Sequence, residues 1–173
     1  TNVGIQERAV TEIIIHPLFN STSNDIALLK LDIPVLITNY VRPICLWQEE
    51  IDLKYTIGKQ GVTVGWGFDV NGQPSLELTQ TKMQIVSQQK CFFPHQSSRD
   101  SFCATFNNDV SICNVDSGVG MYFSQKTTNG NIWQLRGLVS INRALQKRQM
   151  CDSTKYVIFT DVTRYVKWIK QFI

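Results

Sequence analysis

The sequence predicts an all-β fold closed by one C-terminal α-helix. Short β-branched and aromatic runs recur at fairly regular intervals, turn residues separate them, and only the last segment carries a helical period. At 173 residues the chain suffices for one domain with a sizeable core. Its 43% hydrophobic and 18% charged residues make a globular composition.

In chain order, strand 9–15 is rich in valine, threonine and isoleucine and ends at Ile15-His16-Pro17. The polar turn 20–24 leads into strand 26–31. Strand 62–64 is a Val-Thr-Val run, and the Asn-Gly-Gln-Pro turn at 71–74 precedes strand 79–86. A further turn is expected at 107–109. Strands 121–124 and 133–140 flank the Asn-Gly-Asn turn 129–131, and strand 156–160 reads Tyr-Val-Ile-Phe-Thr. The period then changes. Val162, Tyr165, Val166, Ile169 and Phe172 fall on one face of an amphipathic helix over 161–173, with Asp161 or Thr160 as its cap.

The net charge of +3 is small and the basic residues are scattered, so neither nucleic acid nor a membrane surface is expected as a partner. No apolar run approaches the roughly 20 residues of a spanning helix. The five cysteines, Cys45, Cys91, Cys103, Cys113 and Cys151, form no Cys-x-x-Cys pair, and the only histidines are His16 and His95. These spacings argue against a zinc site, and neither metal nor organic cofactor is expected. A disulfide framework in an oxidising compartment fits better, with one thiol free or paired outside this sequence. Asn20-Ser21-Thr22 is a glycosylation sequon, which agrees with secretion. The sequence starts at Thr1 without an initiator methionine or signal peptide and reads as a cut edge.

The segment Cys113-Asn114-Val115-Asp116-Ser117-Gly118-Val119-Gly120 holds a serine in a tight Asp-Ser-Gly turn. Around it, in order, stand Asn24-Asp25-Ile26-Ala27-Leu28-Leu29-Lys30-Leu31, Val64-Gly65-Trp66-Gly67, Trp133-Gln134-Leu135-Arg136-Gly137-Leu138-Val139-Ser140, and Tyr156-Val157-Ile158-Phe159-Thr160-Asp161-Val162 with Trp168-Ile169. Together these motifs resemble the chymotrypsin-like (S1, trypsin-like) serine protease family over essentially the whole chain.

The resemblance implies a double antiparallel β-barrel with the second barrel complete and the first truncated. Residues 1–173 would form a partial peptidase S1 domain, with 1–45 a remnant of the first barrel, 46–160 the second barrel and 161–173 the C-terminal helix. It also implies bridges Cys91–Cys103 and Cys113–Cys151, worth roughly 3 and 4 kcal/mol in chain entropy. Cys45 matches a position that often bridges to an upstream pro-segment or light chain. Gly61 and Phe123 stand where many members carry another bridged pair. That pattern resembles secreted multidomain cascade proteases, including those of insect haemolymph.

In family terms Asp25 and Ser117 match two members of the catalytic triad. The triad histidine is absent from the chain, with His16 and His95 poor substitutes. Acyl transfer needs backbone N–H donors aimed at the developing oxyanion, a role the resemblance gives to the loop Val115, Asp116 and Ser117. Valine at Val115, like Val119, replaces glycine and restricts the backbone there. Asp116 matches the carboxylate that pairs with the amino terminus made by activation cleavage. Ser111, Ser140, Asn142 and Val157 match the specificity pocket. Ser111 offers no counter-charge for Lys or Arg, while Asn142 and Val157 replace small glycines and would narrow the slot. The expectation is a catalytically impaired or inactive homologue of a serine endopeptidase, acting on or with protein partners in an extracellular proteolytic cascade. The alternative is an active secreted endopeptidase whose histidine lies upstream.

Overall fold

The computed structural model describes residues 4–20, 23–47, 53–66, 73, 75–91, 99–106, 117–128, 130–142 and 156–173, with Leu53 and Asn142 described through their backbones alone. The expected turn at 107–109 and most of that at 71–74 lie outside these residues, as do His95, Ser111, Cys113, Val115, Asp116 and Cys151.

Strands β1 (Val10–Ile15) and β2 (Ala27–Leu31) pair antiparallel as a separate two-stranded sheet. The turn between them closes through an Asn20–Ser23 bridge. Apolar side chains on this sheet and the loops beside it are open to solvent. Ile13 is 63% exposed, Leu29 60% and Leu36 70%, an apolar surface of the kind that marks a contact face.

The remaining strands are β3 (Cys45–Leu46), β4 (Gln60–Gly65), β5 (Thr79–Val86), β6 (Ser101–Phe106), β7 (Gly120–Thr127), β8 (Gly130–Asn142) and β9 (Tyr156–Asp161). They run in the order β3-β8-β7-β4-β5-β6-β9, and β9 pairs back onto β8. Six strands, β4 to β9, therefore close into an antiparallel barrel, which leaves them no free edge. β3 joins from outside, parallel to β8, and straddles the expected boundary between residues 45 and 46.

The barrel interior is filled by Met83, Ile85, Phe102, Ala104, Phe106, Met121, Phe123, Val139, Val157 and Phe159. Phe102 and Phe159 stack with centroids 5.2 Å apart. Gly137 makes this stack feasible, since a Cβ there would lie 2.6 Å from Phe102 Cζ. Residues 157–161 of β9 are all buried, because the outer side of the strand is covered as well. Ile158 packs there with Val86, Cys91 and Cys103. Cys91, at the end of the four-residue helix α1 (Gln88–Cys91), is bonded to Cys103 of β6, as the resemblance implied.

The C-terminal helix is shorter than the expected 161–173. It begins as a 3₁₀ turn over Val162–Tyr165, continues as α2 (Val166–Ile169), and gives way to a turn at residues 170–171. Asp161 is the cap: its Oδ1 accepts from Thr163 N–H at 3.1 Å and from the Thr163 hydroxyl at 2.6 Å. At the far end Gln171 and Phe172 N–H reach the carbonyls three residues back, tightening the last turn instead of extending the α-helix. Val162, Tyr165 and Ile169 bury against Ile26, with Leu28, Leu46, Leu135, Leu138 and Trp168 around them. The helix thus fastens the start of β2 to the barrel.

Candidate active site

Asp25 sits in a turn just ahead of β2. Asn24 before it has φ +53°, and Ile26 N–H donates to Asn24 O at 2.9 Å, so the chain wraps tightly around Asp25. Thr160 of β9 donates its hydroxyl to the Asp25 carbonyl at 2.9 Å. The carboxylate is exposed, and its Oδ2 accepts a 2.7 Å hydrogen bond from the Ser140 hydroxyl.

Ser140 reaches Asp25 because β8 is bulged there. Val139 faces Phe159 and Ile141 faces Ile158, which leaves Ser140 as an extra residue between two ladder positions. A bulge of this kind re-aims a side chain beside a site.

Ser117 is exposed and begins a turn continued by Gly118 at φ +87°, a conformation open to glycine. Gly118 N–H donates to Val139 O at 2.8 Å, and Val139 N–H donates to Val119 O at 2.9 Å. The serine turn is therefore stitched to the residue next to Ser140, which in turn holds Asp25. Half-buried Val119 packs against the barrel core.

Val157 is 0% exposed and sits in that core. It pairs in register with Asn142 on one side and Ala104 on the other. His16 is engaged elsewhere. Its Nδ1 accepts from Leu18 N–H at 3.3 Å, and its ring meets Tyr165 and Trp168 edge-on, with centroids 5.1 and 4.9 Å away.

Cys45 is exposed on β3 with a free thiol. Asn20 is exposed, and its Oδ1 accepts from Ser23 N–H at 2.9 Å; Ser21 and Thr22 of the sequon lie outside the described residues. Among the described residues no group of three or more His, Cys, Asp or Glu side chains is arranged to hold a metal ion. No helix among them is long and apolar enough to cross a membrane.

Two features escaped the sequence. Arg136 of β8 is 1% exposed and donates through Nη2 to Asp161 Oδ2 at 2.9 Å, within the barrel's closing seam. Burial holds this guanidinium below its usual pKa, against the attraction of Asp161. Its Cζ lies over the Trp47 ring, 5.2 Å from the centroid, while Nε and Nη1 have no hydrogen-bond partner among the described residues. The second is an apolar groove of about 250 Å³ lined by Ile44, Val62, Val64, Gln80, Tyr122 and Trp133. It shares no residue with the Asp25–Ser140–Ser117 assembly. A single arginine among apolar neighbours in 133–139 was the sole sequence sign of the first; the second needs strands distant in sequence and left none.

The profile of the family described as Trypsin matches residues 1–169. The chain is 29% identical over 204 aligned residues to serine protease gd of Drosophila melanogaster, covering 95% of this chain and 38% of that protein. It is 28% identical over 180 residues to Limulus clotting factor C of Carcinoscorpius rotundicauda, covering 98% and 17%. With the suppressor of tumorigenicity 14 protein homolog of Bos taurus the identity is 32% over 173 residues, covering 96% and 19%. The chain thus spans well under half the length of these relatives.

Proposed function

The chain belongs to the trypsin family, and from that premise we propose that it serves as a catalytically impaired protease homologue in an extracellular proteolytic cascade. Val157 carries the proposal. Where the family resemblance calls for a small glycine in the pocket wall, a valine with no exposed surface packs among Phe102, Ala104 and Phe159. A substrate side chain and those methyl groups compete for one volume, and cores at native density do not yield it cheaply. By the same resemblance, Val115, Val119 and Asn142 are three further bulky replacements at positions matched to glycine. The function left to such a domain is binding protein partners, with Cys45 available to bridge an upstream segment and Asn20 to carry a glycan. Relatives named as clotting factor C and as a serine protease support a cascade setting.

One observation favours a second reading, an active secreted endopeptidase. The hydroxyl of Ser140 is bonded to Asp25, and the Ser117 turn is tied to the adjacent backbone, so two triad positions keep an ordered setting. Such a setting is what a histidine supplied from elsewhere in the protein would need.

A fluorophosphonate probe on the intact protein separates the two. No covalent label at Ser117 is expected. Labelling that disappears in Ser117→Ala would replace the first reading with the second.

A further inference from the structure

Asn24 is the only non-glycine residue among those described whose φ lies in the left-handed region. That region disfavours L side chains, and asparagine occupies it best when its amide is bonded locally. Here Nδ2 donates to Leu18 O at 3.0 Å, and Oδ1 accepts from the Tyr165 hydroxyl at 3.3 Å. Tyr165 is 3% exposed and packed with Ile26, Val162 and Ile169, so its hydroxyl is delivered from a fixed ring. Burial raises its ionisation above the ordinary value, so the donor hydrogen stays in place under alkaline conditions as well as at neutral pH.

We propose that Tyr165 is a positioning residue for Asp25: through its hydroxyl on Asn24, the C-terminal helix holds the left-handed turn that presents the carboxylate to Ser140. Thr160 anchors the Asp25 carbonyl from the neighbouring strand, so the turn is fixed from the closing end of the chain on both sides. Any displacement of residues 162–169 then reaches Asp25. The proposal rests on Asp25 being a site residue. It is independent of whether Ser117 turns over a substrate.

Residue-resolved hydrogen exchange on the intact protein tests it, using the Ile26 amide that closes the turn. Tyr165→Phe keeps the ring and its packing and removes only the donor. Ile26 exchange should quicken about fivefold to tenfold, the effect of losing one hydrogen bond. The Phe159 and Lys170 amides, which report β9 and the helix, should stay unchanged. In an Asn24→Ala background Tyr165→Phe should add nothing further. An unchanged Ile26 amide, a uniform rise at all three sites, or additive effects in the double variant would each overturn the proposal. Probe labelling at Ser117 would end the inactive reading and leave these exchange rates untouched.

Discussion

The ring of Phe123 occupies the space over Gly61. A Cβ added to Gly61 would lie 2.7 Å from Phe123 Cζ and 2.7 Å from Met121 Cε. The family resemblance matches these two positions to a bridged pair; here an aromatic ring on one side meets a bare backbone on the other. Phe123 is 7% exposed and also meets Trp47 edge-to-face at 5.6 Å, so it has little room to withdraw. Gly61→Ala should therefore destabilise by about 1–3 kcal/mol through overpacking. Adding Phe123→Leu should recover much of the loss. Urea midpoints at constant slope for the two single variants and the double would establish the coupling.

Arg136 and Asp161 are linked differently, through charge. The Asp161 carboxylate divides its oxygens, Oδ2 to Arg136 and Oδ1 to the helix cap. Asp161→Ala should cost about 3–5 kcal/mol, because it strands a buried guanidinium and removes a cap at once. Asp161→Asn together with Arg136→Met should cost far less. It keeps a capping oxygen and replaces the cation with an apolar chain of similar reach. Thermal unfolding of the three proteins would rank them.

What the sequence made legible follows physical lines. The strand expected at 79–86 matches β5 at both ends, since the alternation of inward Thr81, Met83 and Ile85 with outward Gln80, Lys82 and Gln84, bounded by turns, is a local signal. β6 was missed. Its Ser-Phe-Cys-Ala-Thr-Phe run is buried or nearly so throughout, so no alternation betrays a strand. β3, two residues long, is too short to show any period, and exists only because Gln134 and Leu135 lie alongside it. At the candidate site, it is resemblance to motifs that points to Asp25 and Ser117. The bulge that turns Ser140 to Asp25 and the buried Arg136–Asp161 pair depend on the register between β8 and β9. No single segment encodes that register.

Tyr165 makes stability depend on alkaline pH. Its phenol is held neutral above the ordinary value of about 10, first by burial and then by the carboxylates of Asp100, Asp161 and Asp25. Once pH passes about 10 the unfolded chain ionises this phenol while the folded chain does not. The unfolded state then binds fewer protons, so stability falls as pH rises, and is fully present below that range. Tyr165→Phe should flatten this part of the decline. Urea unfolding of both proteins on either side of pH 10 would register the difference, and equal slopes would contradict it.

Val157 offers the most direct handle on the cleft. Val157→Gly removes a fully buried side chain from the barrel core and frees backbone in a central strand, so stability should drop by roughly 2–4 kcal/mol. A dry apolar cavity with room for a ring binds small aromatic molecules. If the valine fills what would be the specificity pocket, benzene or phenol should stabilise the variant against unfolding and leave the unsubstituted protein unaffected. Ser117 should stay unlabelled by the serine probe, since the valines that the family resemblance sets against glycines at 115 and 119 are still present. Equal stabilisation of both proteins by the aromatic ligand would mean that Val157 is an ordinary core residue and that the cleft is closed, or open, for other reasons.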